Sequence, residues 1–359
     1  MTRKDHAGIF DGKRLLITGG TGSMGKTLVR RLLSGEMGDP EKIIIYSRDE
    51  AKQHFMRVEY HNRRAATDEI IYNNFQQKLD FRIGDVRDFN SVASVLRHVD
   101  VVFNAAALKQ VPSCEYFPHQ AVQTNIEGAS NIVRAIQQHG LKVDTVIGIS
   151  TDKACMPVNV MGMTKAIQER IIIAGNMKCP DTRFVCVRYG NVLASRGSVI
   201  PLFHSQLAAG GPLTVTTPDM TRFLISLDDA VDTVLAAYSN GFPGETFVPR
   251  APAALVTNVA KAIIGDRDVG IEYVGIRPGE KTHEIMVSDV EAPLTVRKGD
   301  WYAIKSMLPE VRGPAAWTPV LQGEYSSHHD VMDLAQTRAL LDAKDLLNPN
   351  ADAGGELLR

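Results

Sequence analysis

From Lys13 onward, short runs of β-branched and other apolar residues alternate with longer stretches whose apolar positions recur three and four residues apart. The first pattern suits strands buried on both faces and the second suits helices laid over them, so the rhythm predicts a parallel sheet wrapped by helices. RLLITGG (residues 14–20) reads as a strand ending in glycines, and MGKTLVRRLLSG (24–35) as a helix with Gly35 just past its end. KIIIYSRDE, LDFRIGDV, VDVVFNAAA, VDTVIGIS and RFVCVRYGNV read as the strands that follow, each closing near Gly, Ser, Asn or Asp. Loops at the carboxyl ends of parallel strands are where doubly wound sheets bind their ligands. The polar stretch 60–78 reads as a surface helical extension.

Beyond Asn191 the rhythm breaks on Pro201, Pro212, Pro218 and the pair Gly210-Gly211. A helix over 226–241 and the strand ETFVPR (245–250) then return to the sheet before a second, smaller unit resumes. The predicted division is 11–191 with 226–250 for the sheet domain and 192–225 with 251–345 for the smaller C-terminal unit, leaving 346–359 as a frayed tail. A length of 359 residues fits two units sharing an interface.

Composition narrows the functions this architecture could serve. A hydrophobic content of 44%, a charged content of 23% and a net charge of −1 describe a globular chain with no basic excess to recruit nucleic acid or an anionic membrane. The first residues hold no apolar run of signal-peptide length, so a cytoplasmic location is expected. Cys114, Cys155, Cys179 and Cys186 are scattered without metal-site spacing and read as reduced thiols, while His328-His329 reads as surface polarity rather than a metal site.

TGGTGSMG (18–25) carries Gly19, Gly22 and Gly25 between a strand and a helix, with Thr21, Ser23 and Met24 among them. Glycines at that spacing allow a tight turn and close approach to a pyrophosphate at the helix N-terminus, which predicts a Rossmann-type dinucleotide fold. The second strand ends in Ser47 and Arg48, where an NAD enzyme would show a carboxylate; a hydroxyl and a guanidinium suit a 2′-phosphate, so NADP is the expected cofactor. Asp85 and Val86 end the third strand near the adenine, and Ala105 and Ala106 after the fourth are small enough to admit the cofactor.

The run ISTDKACMPVNVMGMTK (149–165) places Thr151, Asp152 and Lys153 just after the fifth strand, with Met161 and Lys165 on one face of the next helix. A hydroxyl, a carboxylate and an amine beside a cofactor loop form a proton-transfer set. Met161 stands where a short-chain dehydrogenase/reductase carries the tyrosine of Tyr-x-x-x-Lys, and a thioether cannot move a proton.

Together with IYSRDEAKQ, IGDVRD, NAAALKQVPSCEYFP, RYGNVLASRGSVIPLF, MTRF, RPGEK and YSSHHDVMDL, these motifs span residues 13–341. The chain resembles an extended short-chain dehydrogenase/reductase, and specifically the inverting UDP-N-acetylglucosamine 4,6-dehydratases of capsule and O-antigen synthesis, in the CapE/WbjB branch that itself has Met-x-x-x-Lys. The resemblance implies a UDP-N-acetylhexosamine substrate oxidised at C4, deprotonated at C5 by a neutral Lys153, and dehydrated at C6 with Asp152 as acid. It implies that Thr151, Asp152 or a water relay replaces the tyrosine, that Lys165 holds the nicotinamide ribose, and that Lys109 contacts the sugar or reprotonates it. Asn191, Ser198, Val199, Ile200, Arg222, Arg277 and Glu280 would surround the UDP-sugar, in a homo-oligomer between a dimer and a hexamer. A UDP-sugar 4-epimerase on the same fold is the alternative, and a non-catalytic NADP-binding protein is the second alternative.

Overall fold

The computed structural model describes residues 8–62, 77–193, 198–312 and 316–348. Residues 63–76 of the expected extension, and 349–359 of the expected tail, lie outside the described residues. The alternation of buried runs and amphipathic helices becomes a doubly wound α/β fold of Rossmann type. Strands β1 (Arg14–Thr18), β2 (Lys42–Ser47), β3 (Leu79–Ile83), β4 (Val101–Asn104), β5 (Thr145–Ile149) and β6 (Arg183–Val187) lie parallel in the order 3-2-1-4-5-6.

Successive side chains of these strands point to opposite faces, and each face meets a separate set of helices. Leu15, Ile17, Ile43, Ile45 and Phe103 pack with Leu28, Val29 and Leu32 of helix Ser23–Leu33 and with Val231, Val234 and Leu235 of helix Leu227–Asn240. Leu16, Ile44, Val102 and Val146 face the other way, against Ile132 and Ile136 of helix Gly128–His139 and Ile172 and Ile173 of helix Val160–Lys178. Both faces are therefore dry, and ligand access is left to the strand ends.

The smaller unit contributes β7 (Leu213–Val215), β8 (Thr221–Phe223), β10 (Ala253–Leu255), β11 (Ile271–Tyr273), β12 (Ile285–Val287), β15 (Tyr325–Ser326) and β16 (Val331–Met332) in three short sheets, while β9 (Thr246–Pro249) rejoins the large sheet beside β6. Its own core gathers Phe203, Leu213, Val215, Val259, Ile263 and Leu341. The boundary drawn from sequence needs one correction. β13 (Thr295–Lys298) and β14 (Trp301–Ile304), assigned above to the smaller unit, form an antiparallel hairpin on β9 and complete a nine-stranded sheet among the described residues. Trp301 and Ala303 pack into the large core, so burial rather than chain order decides where these strands belong.

Candidate functional site

The chain reverses direction across the sheet between β1 and β4, and that switch point opens a cleft of about 640 Å3. Its floor is the glycine turn. Gly19 adopts a left-handed φ of 65°, and a Cβ there would stand 2.8 Å from the Ala106 Cα. A Cβ on Gly25 would stand 2.5 Å from the Gly20 Cα, so the helix lies against the turn only because that side chain is missing. Gly22 caps helix Ser23–Leu33 with no side-chain hydrogen bond, which leaves the first backbone amides available to an anion. Thr18 Oγ1 donates to Asn104 Oδ1 at 2.9 Å and accepts from the Ala106 amide at 3.2 Å, locking the tips of β1 and β4 together. This cradle fits the pyrophosphate of a nicotinamide dinucleotide.

Every cofactor residue expected from sequence lines this cleft: Gly19, Thr21, Gly22, Ser23, Met24, Gly25, Ser47, Arg48, Asp85, Val86, Ala105, Ala106 and Lys165. Ser47 Oγ accepts from Gln53 Nε2 at 3.0 Å, which leaves its own proton to donate. Arg48 is half exposed and stands 3.8 Å from Asp85. Burial tends to raise the Asp85 pKa, but hydrogen bonds from Arg87 outweigh it and hold that carboxyl below its ordinary value.

Thr151, Asp152, Lys153, Met161, Lys165 and Lys109 line the same cleft. Thr151 caps a single 3-10 turn, Asp152–Ala154, and its hydroxyl donates to Asp152 Oδ1 at 2.9 Å. Asp152 is fully buried, and its Oδ2 has no hydrogen-bond partner among the described residues. The Lys153 ammonium lies 3.1 Å from Asp152 and 2.9 Å from Glu284. Burial opposes its charge, yet the two carboxylates prevail and raise its pKa above the ordinary lysine value, with Arg222 acting against them. This ion-paired geometry favours the ammonium over the neutral Lys153 base that the resemblance implies.

Lys165 is the amine with a depressed pKa. Burial drives it down to about 8, against the attraction of Glu169, while its Nζ donates to the Ile149 carbonyl and, at 2.7 Å, to Gln168. Met161, one turn earlier, packs on Cys114 and Ala121 as an apolar wall of the cleft.

The expected substrate residues divide. Lys109, Asn191 and Ser198 line the cleft, and Asn191 Oδ1 and Ser198 Oγ are buried without partners among the described residues. Val199, Ile200, Arg222, Arg277 and Glu280 do not line it. Ile200 is buried in the smaller unit's core with Val199 packed against it. The Arg222 guanidinium is taken up by the carbonyls of Thr221, Lys281 and Thr282. Arg277 is exposed on the neighbouring loop, whose Gly279 carbonyl accepts from Asn159 at 2.8 Å, and Glu280 is half buried there. Sequence reasoning missed Glu284, three residues beyond the RPGEK motif; an acidic residue directly ahead of the apolar run Ile285–Val287 was the available signal.

The family model described as polysaccharide biosynthesis protein matches residues 15–306 of this sequence. The chain belongs to that family. A relative from Rickettsia conorii named UDP-glucose 4-epimerase is 46% identical over 301 residues, covering 82% of this chain and 84% of its own, and one from Rickettsia bellii with the same name matches equally. Among solved structures, Pen from Bacillus thuringiensis is 31% identical, covers 94% of this polysaccharide biosynthesis family chain and 99% of its own, and superposes with a TM-score of 0.83. DesIV from Streptomyces venezuelae, a dTDP-glucose 4,6-dehydratase solved with NAD and TYD bound, shares the fold at 22% identity, 75% and 86% coverage and a TM-score of 0.62.

Proposed function

We propose that this chain modifies a UDP-sugar by transient oxidation at C4, in the service of polysaccharide synthesis. A bound nicotinamide dinucleotide supplies the hydride acceptor and returns the hydride later. The observation that carries the reading is the junction of the glycine cradle with the Thr151–Asp152 pair in one cleft. With methionine at the tyrosine position, the C4 hydroxyl proton passes to Thr151 Oγ1 as Thr151 gives its own proton to Asp152. Ser47 and Arg48 support NADP as the preferred form, since a hydroxyl and a guanidinium at the end of β2 line the cleft and suit a 2′-phosphate.

The first reading for the outcome is 4-epimerisation, with the hydride returned to the opposite face of C4. The names of the Rickettsia relatives support it over dehydration, and the ion pairs of Lys153 with Asp152 and Glu284 disfavour the neutral amine that C5 deprotonation was expected to use. One observation favours 4,6-dehydration with C5 inversion as a second reading. Asp152 keeps a buried carboxylate oxygen without a partner among the described residues, and the proton it receives from the C4 hydroxyl through Thr151 can pass from there to a departing C6 oxygen.

Incubation with UDP-glucose or UDP-N-acetylglucosamine and NADP in heavy water, followed by proton NMR, separates them. A galacto product with an unchanged C6 establishes epimerisation. A C6 methyl signal with deuterium at C5 establishes dehydration. Unchanged sugars, with the dinucleotide bound, would refute the C4 chemistry.

A further inference from the structure

Glu284 belongs to the segment that leaves the large sheet after β9 and returns at β13, yet its carboxylate reaches the strand-end turn of the opposite unit. Its backbone is fixed on both sides: the amide donates to Ser327 Oγ at 2.9 Å and the carbonyl accepts from the Ser327 amide at 2.8 Å. The residue is 2% exposed. Oε1 meets Lys153 at 2.9 Å and Arg222 Nε at 3.8 Å, while Oε2 is buried without a partner among the described residues. A carboxylate is costly to bury without compensation, so one set this deep holds a charge in place or is held by one. Only Lys153 of this group presents itself to the cleft with Asp152; Glu284 and Arg222 stand behind.

We propose that Glu284 is a positioning residue that acts through Lys153, fixing it as an ammonium directed between Asp152 and the sugar site. The groups that face Lys153 are Asp152 from its own turn, Glu284 from the β12 segment and Arg222 from β8, which with Lys153 sum to zero charge. Removal of the Glu284 charge leaves a buried net cation, which the lysine relieves by losing its proton. The ammonium acts as a fixed positive charge or proton donor toward oxygen, never as a carbon base. The turnover consequence rests on the C4 chemistry proposed above; the titration consequence does not.

The test is competitive labelling of lysines with an amine-acylating reagent across pH, read peptide by peptide by mass spectrometry, on the full-length wild type, Glu284→Gln and Glu284→Asp. Glu284→Gln should lower the labelling midpoint of Lys153 by about one unit or more, as removal of an ion-pair partner at contact does. Glu284→Asp, which keeps the charge, should hold the midpoint near the wild-type value and shows that the backbone tolerates change at this position. The alkaline limb of kcat/KM on the turned-over UDP-sugar should descend with the same midpoint shift. An unshifted Lys153 midpoint in Glu284→Gln overturns the inference, as does a lowered kcat with the pH profile unmoved, the mark of a structural role. Absence of turnover in the wild type would sink the proposed function while the labelling still decides the role of Glu284.

Discussion

Arg188, 2% exposed at the end of β6, uses all five guanidinium N–H groups on buried partners, and its replacement by methionine is the most informative stability test. Nε and Nη2 donate to Glu169 at 3.1 and 2.7 Å, Nη1 and Nη2 donate to Glu291 at 2.9 and 3.0 Å, and Nη1 also reaches the Met286 carbonyl at 2.7 Å. Burial alone would raise the Glu291 carboxyl, but Arg188 holds it down to about 2 from an ordinary value of 4.5. A depressed carboxyl of that size corresponds to about 3 kcal/mol that is present above pH 4.5 and is lost as pH falls through 2. Arg188→Met strands Glu169 and Glu291 as buried charges, so the loss at pH 7.5 should be about 3–5 kcal/mol. In the variant, burial pushes both carboxyls up, so they take protons on acidification and the deficit against wild type should shrink by pH 5. Urea unfolding followed by tryptophan fluorescence at both pH values measures it. A deficit below about 1 kcal/mol at pH 7.5, or an equal deficit at pH 5, would refute the reasoning.

Gly25→Ala places a Cβ 2.5 Å from backbone that cannot yield, so calorimetry should show dinucleotide affinity falling well beyond the effect of Gly22→Ala, whose Cβ meets only the Gly19 carbonyl at 3.3 Å. Arg48→Ala should weaken NADP by about tenfold or more and leave NAD nearly unchanged, read as the ratio of the two dissociation constants; equal losses would remove the 2′-phosphate assignment. Lys165 titrates at about 8 in the fold against 10.5 in the free chain, so its buried charge costs stability below pH 8 and the cost fades as pH rises. The unfolding free energy of the wild type, measured against Lys165→Met, should therefore climb by about 2–3 kcal/mol between pH 8 and pH 10, and a flat difference would contradict the burial argument.

The cradle and the strand order were legible because they are local: a strand, a glycine turn and a helix announce themselves within thirty residues. The residues expected to hold the cofactor line one cleft for the same reason, although Tyr46, Lys52 and Tyr189, which also line it, carried no such signal. What escaped was decided by distant partners. Lys153 beside Asp152 reads as an amine that burial could neutralise, and only folding brings Glu284 to its far side to reverse that sign. Arg222 reads as a diphosphate ligand until the carbonyls of Lys281 and Thr282 claim its guanidinium. The hairpin of β13 and β14 was assigned by chain order, whereas Trp301 and Ala303 follow the core they can fill.

That hairpin has an evolutionary reading. The chain leaves the large sheet after β9, where Pro249 pairs with Trp301, and returns to it at β13, on the far side of β14. Residues 250–294 are thereby an excursion between two strands of the same sheet, carrying Glu284 and the loop of Arg277. Lengthening such an excursion by ten residues adds only about 0.2 kcal/mol of closure entropy. Insertions in the exposed loop at Arg277 therefore leave the hydrogen bonding of the large sheet and the dinucleotide cradle untouched, whereas β10, β11 and β12 are tied to β8, β16, β7 and β15 outside the excursion. Divergence can therefore proceed by lengthening that loop, while the strands that hold Glu284 against Lys153 stay fixed by their partners.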